Sequence, residues 1–180
     1  MSMDVKKAVS DAAKHLIIDK KVKKLTVKDI VEECQITRQA FYYHFQDIPD
    51  MLEWNIRQEA EKIRSRTEKI EEPEEELRYF FVCASNLSEG LKRSLESNYG
   101  AEIDRILHQS MINMLRQVIE ERNLYPECTA EQIDVIVRYH ANAISGILKE
   151  WTPEDTKNLD QIVHTIYEMS IGAVQIRKEV

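Results

Sequence analysis

Apolar residues recur at spacings of three and four along most of the chain, which places them on one face of successive α-helices. The first stretch predicts a helix over about residues 3–19, with a buried face of Val5, Ala8, Val9, Ala12 and Leu16. Further stretches predict helices over about 48–70, 73–84, 86–96 and 101–122. The last two run from Ile133 to Trp151 and from Leu159 to Val174. With two short helices between 25 and 45, the pattern predicts an all-α fold of about nine helices.

The segment Leu25–Phe45, LTVKDIVEECQITRQAFYYHF, predicts two short helices joined by a tight turn. Thr26 and Thr37 suit the N-cap positions, because a threonine hydroxyl can accept from a backbone N–H of the first helical turn. Phe41 and Phe45 lie one helical turn apart and would form the buried side of the second helix. This arrangement is typical of a helix-turn-helix unit.

The outer side of the second short helix carries side chains that suit DNA. Arginine and glutamine pair with guanine and adenine edges, and alanine can meet a thymine methyl group. Threonine and tyrosine hydroxyls suit phosphate oxygens. We therefore expect DNA contacts from Thr26, Thr37, Arg38, Gln39, Ala40, Tyr42, Tyr43 and His44. Taken by periodicity alone, the same segment also fits an ordinary helical hairpin whose tyrosines pack and whose arginine is solvated.

The charge is divided unequally along the chain. The net charge is −7 overall, but residues 1–48 hold 9 basic and 7 acidic groups, whereas the rest holds 16 basic and 25 acidic groups. The cluster Lys20, Lys21, Lys23 and Lys24, with Lys28, supplies most of the local positive charge. Such a cluster fits phosphate contact and a solvated loop equally well. Only the N-terminal part is therefore expected to meet nucleic acid.

Other classes of protein are disfavoured by the sequence. No segment approaches the roughly 18 consecutive apolar residues of a membrane span, and no signal-peptide pattern occurs, so we expect a cytoplasmic protein. Cys34, Cys83 and Cys128 are far apart and odd in number, which argues against a disulfide framework or a cysteine-based metal site. No G-x-S-x-G, H-E-x-x-H or glycine-rich phosphate loop occurs, so we expect no enzyme activity and no cofactor.

The pattern T-V-x-D-I-V-x-x-C-x-I-T-R-x-x-F-Y-x-H-F over Thr26–Phe45 resembles the helix-turn-helix of the TetR family of bacterial transcription regulators. The resemblance implies a DNA-binding domain over 1–47 and a helical effector-binding and dimerisation domain over 48–180. It further implies a homodimer, most often a repressor, on a palindromic operator. Two positions depart from the family. Gln35 replaces the usual glycine of the turn, and Ile48 replaces a lysine that contacts phosphate.

The last two predicted helices have more apolar surface than one small domain needs. In the family, the corresponding helices form a four-helix dimer interface, so we expect contacts from Ile136, Ala143, Ile147, Trp151, Ile162, Ile166 and Met169. The alternative is that these helices complete a core within one subunit.

An effector chamber is expected between the long helix at 48–70 and the segments after it. Its candidate lining residues are Trp54, Tyr79, Phe81, Met111, Met114, Tyr139 and His140, with Phe80 beside them. Aromatic and methionine residues at helical spacing also fit an ordinary core. The sequence does not identify the effector, which could be a small molecule or a protein.

Two further interpretations arise from the resemblance. The runs FYYHFQDIPDMLEW and YHANAISGILKEW are similar to the subgroup of dihydroxyacetone kinase regulators. Because Ile48 lacks the cation, the chain also fits a sensor or adaptor of the same fold that works through a protein partner and has weak or lost DNA binding.

Overall fold

The backbone is helical throughout the part of the chain that the structure describes. The computed structural model describes residues 2–171, with side chains from residue 5 onward. Within that range the helices are α1 (Ser2–Ile18), α2 (Val27–Glu33), α3 (Arg38–His44), α4 (Ile48–Thr67), α5 (Pro73–Leu95), α6 (Gly100–Arg122), α7 (Ala130–Glu150), α8 (Pro153–Lys157) and α9 (Leu159–Ser170). Residues 2–171 contain no β-strand, so the all-α prediction is confirmed.

The number of helices agrees with the prediction only because two errors cancel. The segments 73–84 and 86–96 were predicted as separate helices, but they form the single helix α5. Gly90 lies inside this helix and does not end it. The lack of a side chain there allows α5 to approach α1 closely, because a Cβ at Gly90 would lie 3.0 Å from Ile18 Cδ1. The short helix α8, which Thr152 caps, was not predicted. Ala173 and Val174, predicted on the last helix, lie outside the described residues.

Two groups of buried side chains form the core. The first joins α1, α2, α3 and the start of α4, and also includes Ile103 and Ile106 of α6. The second comprises Phe81 of α5, Ile144 of α7, Trp151 directly after α7, and Leu159 and Val163 of α9. Helix α6 therefore reaches from the N-terminal unit into the larger helical part.

The first turn of α4 packs with the N-terminal helices. Ile48 and Met51 are buried in the first core. The predicted boundary between residues 47 and 48 therefore lies at the start of a helix that both parts share, and the division into two domains stays a prediction. No helix within residues 2–171 has the length and apolar character needed to cross a bilayer.

Candidate nucleic-acid interface and effector cavity

Thr26 is the N-cap of helix α2. Thr26 Oγ1 accepts from the backbone N–H of Asp29 at 3.3 Å and donates to Asp29 Oδ2 at 2.6 Å. The acidic side chain also lies in the first turn, where it meets the positive end of the helix dipole. Ile30 and Val31 then point into the first core. The predicted capping role of Thr26 is confirmed.

The turn between α2 and α3 has a left-handed backbone at Gln35, whose φ is 54°. The next N–H, of Ile36, donates to Val31 O at 3.0 Å, which satisfies a carbonyl at the end of α2. A left-handed conformation costs an L-residue with a side chain about 1 kcal/mol relative to glycine. The predicted strain at the position of the missing glycine is therefore present.

Replacing Gln35 by glycine is expected to raise the free energy of unfolding by about 1 kcal/mol, because glycine adopts this φ without steric cost. Thermal or denaturant unfolding measures the change. The matched control is Gln39→Gly, in the exposed part of α3, which is expected to lower the free energy of unfolding by about 1 kcal/mol. Equal destabilisation by both changes would contradict a strained turn.

Helix α3 buries one side and exposes the other. Thr37 Oγ1 accepts from the backbone N–H of Ala40 at 3.1 Å, which fixes the start of the helix. Phe41 is fully buried and Phe45 is 2% exposed, with their ring centroids 5.9 Å apart. Both predicted anchors are confirmed as core residues, and they hold α3 against α1 and α2.

The predicted DNA-contacting residues lie together on the outer side of α3 and at its start. Tyr42 is 57% exposed and Tyr43 is 82% exposed. Arg38 and Gln39 are also exposed, and no hydrogen bond or ion pair with another residue in 5–171 engages either side chain. Of the remaining predicted contacts, Thr37 is exposed, and Thr26, Ala40 and His44 are half-buried. Donors and acceptors on this helix are thus free to meet a ligand.

Only some of the lysines after α1 form ion pairs with acidic residues. Lys20 Nζ lies 2.6 Å from Glu33 Oε2, and Lys28 Nζ lies 3.8 Å from Glu32 Oε1. Lys21, Lys23 and Lys24 are exposed, and no ion pair among the described residues includes them. These three cations lie beside the start of α2 and leave local positive charge near the helix-turn-helix.

Ile48, where the TetR resemblance expects a lysine, is 2% exposed and packs in the first core. Helix α4 still begins normally, because Asp47 Oδ1 accepts from Asp50 N at 2.8 Å and Asp50 Oδ2 accepts from Gln46 N at 2.9 Å. The position therefore contributes to folding and presents no cation at the surface.

A cavity of about 710 Å³ lies between α1, α4, α5 and α6, with Leu148 of α7 at its edge. Most of its lining residues are apolar, and the polar groups come mainly from α1, α4 and α5. Of the predicted effector-pocket residues, Met111 and Met114 line it, together with Phe80. The cavity has the volume of a typical small-molecule site.

The other predicted pocket residues lie outside this lining. Trp54 packs on Phe45 in the first core, and Phe81 is fully buried against Trp151 in the second. Tyr79 Oη accepts from Arg66 at 2.9 Å. Tyr139 is 61% exposed, and its ring contacts His140, whose pKa is lowered below the ordinary value by burial. These five side chains are therefore dispersed over the helical part instead of being brought together.

The sequence pattern missed several residues that line the cavity. Lys14 and Ile18 belong to α1, which was predicted only to support the helix-turn-helix. Gly90 and Arg93 belong to the second half of α5, which was predicted as a separate short helix and not as part of the cavity. The signal that could have found them is Gly90 itself, because a glycine inside a helical pattern indicates close approach of another element.

The predicted dimer residues divide between surface and core. Ala143 and Ile147 of α7 and Met169 of α9 are exposed, whereas Ile136, Ile162 and Ile166 are half-buried. Trp151 is 2% exposed, packs on Phe81 and donates from Nε1 to Thr156 Oγ1 at 2.9 Å. Its side chain thus completes the core within one subunit, and it is left out of the interface proposed below.

Comparison with known proteins shows where these features occur together. Residues 9–53 match the family model described as bacterial regulatory proteins, tetR family. No curated protein sequence gave a significant match.

Three solved structures share the fold over most of the chain. The fatty acid degradation regulator FadR from Bacillus halodurans is 18% identical, with 94% of this chain and 99% of that chain covered and a TM-score of 0.65. The dihydroxyacetone kinase operon activator DhaS is 18% identical, with 94% and 95% covered and a TM-score of 0.62. The regulator FadR from Bacillus subtilis in complex with stearoyl-CoA is 16% identical, with 94% and 99% covered and a TM-score of 0.62.

At these identities the similarity shows the fold alone. Because DhaS is no more similar than the first FadR, the subgroup of dihydroxyacetone kinase regulators stays a prediction. The family model covers the helix-turn-helix itself, with the Thr26 and Thr37 caps and the exposed side of α3. Residues 9–53 therefore carry the helix-turn-helix of the tetR family of bacterial regulatory proteins.

Proposed function

We propose that this protein is a transcriptional repressor that binds a palindromic operator as a homodimer and is released by an effector. The observation that carries the proposal is the exposed side of α3, where Arg38, Gln39, Tyr42 and Tyr43 project from a helix that Phe41 holds in place. A regulator of bacterial genes acts where the chromosome is, so we also propose a cytoplasmic location.

The residues of the helix-turn-helix are assigned different tasks by their chemistry. Arg38 and Gln39, in the first turn of α3, would enter the major groove and read base edges, with Ala40 beside them. The hydroxyls of Thr26, Thr37, Tyr42 and Tyr43, with His44, would contact phosphate and sugar and fix the position of α3. Lys21, Lys23 and Lys24 would add affinity that does not depend on sequence.

A second copy of the chain is the proposed occupant of the α7–α9 face, defined here by Val135, Tyr139, Ala143, Ile147 and Met169. Val135 is 57%, Tyr139 61% and Met169 56% exposed, and a contiguous patch of exposed apolar side chains would mark an interaction surface. Gly146 lies among them with nothing within 4 Å of its Cβ position, which would allow another helix to approach closely. Half-buried Ile136, Ile162 and Ile166 would lie at the margin.

Dimerisation also follows from the size of the recognition helix. One α3 of seven residues spans only a few base pairs, whereas two copies related by a two-fold axis match a palindrome. The proposed half-site separation is one helical turn of DNA or a multiple of it, about 34 Å per turn.

The effector is proposed to bind in the cavity between α1, α4, α5 and α6. The B. subtilis FadR with the same fold was solved with stearoyl-CoA, which supports a ligand with a long apolar part. In this chain Met111, Met114 and Phe80 would contact that part.

Selection of bound duplexes from a random DNA pool tests the proposal. We expect a palindrome to be enriched, and footprinting upstream of neighbouring genes to find the same sequence. A reporter gene behind that sequence is expected to be repressed when the protein is present. Recovery of unrelated sequences, or activation of the reporter, would contradict a repressor with a defined operator.

A second candidate function is a sensor or adaptor of the same fold that works through a protein partner. The observation that favours it is Ile48, which is buried where the family usually presents a lysine to phosphate. The selection from a random DNA pool distinguishes the two functions, because an adaptor would enrich no DNA sequence.

A further inference from the structure

The lining of the cavity combines charged and apolar side chains. The cavity follows α4 from Leu52 to Ile63, a distance of roughly 16 Å at 1.5 Å per residue. Its apolar lining consists of aliphatic side chains together with Phe80, Met111 and Met114. A ligand that fills it must therefore have a long apolar part.

Part of the polar lining comes from the C-terminal part of α1 and the residue after it, at Lys14 and Asp19. Lys14 Nζ of α1 lies 2.8 Å from Glu59 Oε1 of α4, so this cation already has a partner. Desolvation opposes the charged form of Glu59, but its contacts with Lys14 and Lys62 outweigh it, so the pKa of Glu59 lies below its ordinary value. Asp19 Oδ2 is 2.7 Å from His15 Nδ1. Some of the polar lining groups thus belong to the predicted DNA-binding domain.

Arg93 of α5 both lines the cavity and forms a hydrogen bond with the end of α1. It lines the cavity, and its Nη1 donates to Ile18 O, the last carbonyl of α1, at 2.5 Å. Its Nη2 donates to Glu89, a side chain that is 79% exposed. Because the last carbonyls of a helix lack helical partners, this guanidinium caps α1.

We propose that the cavity binds a single-chain amphiphile with one hydrogen-bond-accepting head, such as a carboxylate, and that Arg93 is both its recognition residue and the switch. When the ligand binds, its head group accepts hydrogen bonds from the Arg93 guanidinium, which in the free protein donates to Ile18 O. The inference rests on the proposed effector control and deepens it by naming the ligand class and the responding residue.

The charges of the lining favour a head with at most one negative charge. The lining includes two cations, Lys14 and Arg93, and three acids, Asp19, Glu59 and Glu89. A head with several phosphate charges would meet a net negative set of groups. Arginine can hold a single carboxylate through two parallel hydrogen bonds.

Release of α1 would reach the helix-turn-helix through contacts next to Arg93. The connection between α5 and α6 is hydrogen-bonded to the loop before α2. Leu25 N donates to Asn98 Oδ1 at 2.8 Å, and Asn98 N donates to Lys23 O at 2.9 Å. Gly100 permits this tight connection, because a Cβ there would lie 1.9 Å from Leu95 O. A shift of α5 relative to α1 therefore changes the position of the Thr26 cap.

Displacement of a fluorescent fatty acid, dansylaminoundecanoate, by dodecanoate tests the recognition step in the full-length protein. Arg93→Gln is expected to weaken dodecanoate binding about tenfold or more, the loss typical of a hydrogen bond to a charged group. Glu89→Gln removes a competing partner of Arg93 and is expected to tighten binding about two- to fivefold. Arg105→Gln is the matched control, since Arg105 pairs with Glu102 and does not line this cavity.

Opposite effects of the two cavity variants, with no effect of Arg105→Gln, support the proposal. Glu89→Gln keeps the test valid if Arg93→Gln unfolds, because the Glu89 side chain is exposed. Equal dodecanoate affinity in wild type and Arg93→Gln would overturn it. Tighter binding of dodecanoyl-CoA than of dodecanoate would overturn the single-charge head.

Hydrogen exchange tests the switch separately. The backbone amides of Asp19 and Lys20 both donate to His15 O at 3.0 Å, so they report on the end of α1. Dodecanoate is expected to speed their exchange in wild type and to leave it unchanged in Arg93→Gln. Unchanged exchange in liganded wild type would overturn the switch. Neither experiment uses DNA, so failure of the operator proposal would leave these outcomes distinct.

Discussion

Changing Ala143 to arginine is expected to convert the protein to a monomer and to abolish tight operator binding. Ala143 is exposed on α7 between the apolar side chains Tyr139 and Ile147, so the change leaves the subunit core intact. In a symmetric interface each substitution occurs twice, and an unpaired buried charge costs about 3–5 kcal/mol. A loss of this size lowers dimer affinity by two orders of magnitude or more.

Sedimentation and DNA titration of the same preparation measure this prediction. The matched control is Gln109→Arg, because Gln109 is exposed on α6 beside α4 and lies outside the α7–α9 face. The control is expected to remain a dimer with wild-type operator affinity. A dimeric Ala143→Arg variant with unchanged affinity would show that the α7–α9 face is not the interface.

Changing Arg38 or Gln39 to alanine is expected to weaken binding to the selected operator by about 1–3 kcal/mol per half-site and to relax base preference at one position. Both side chains are exposed in the first turn of α3 and have no partner among the described residues that would hold them elsewhere. Affinity measured over a set of single-base operator variants gives the loss and the base concerned.

Tyr42→Phe serves as the comparison for these two variants. It removes only a hydroxyl from a ring that packs on Phe41 at 5.4 Å, so the fold is kept. We expect it to weaken all sequences alike, because a phosphate contact carries no base information. A uniform loss in Arg38→Ala and Gln39→Ala would show instead that those residues contact phosphate.

The helix-turn-helix is predictable from the sequence because its determinants are local. Thr26 and Thr37 act on N–H groups three residues away, and the turn between them needs one left-handed residue at Gln35. Phe41 and Phe45 reveal the buried side of α3 by their spacing of four. The residues left over are then the exposed ones.

The cavity is less predictable because it depends on contacts far apart in the chain. Arg93 meets Ile18 across 75 residues, and Lys14 meets Glu59 across 45. Periodicity marks Phe81 and Met111 as equally apolar, but only packing decides that the first is core and the second lines a cavity. The same holds for Trp151. Its apolar character does not reveal whether it packs in the core of one subunit or faces a partner, and only the structure shows that it packs on Phe81.

The proposed division of roles along the chain agrees with its charge. Because the net charge of −7 disfavours contact with DNA over most of the surface, we expect specific contact to depend on the small basic N-terminal unit and on two copies of it. Few phosphates are therefore expected to be contacted, and the affinity is expected to fall only moderately as the salt concentration rises.

The most direct test of DNA recognition by α3 is the affinity ratio between the selected palindrome and a scrambled duplex of equal length. Fluorescence anisotropy with the wild-type dimer at a fixed, moderate salt concentration measures both affinities. We predict a ratio of about a thousand or more, as for specific DNA-binding proteins, which falls in Arg38→Ala. A ratio close to one would contradict a regulator that reads DNA sequence.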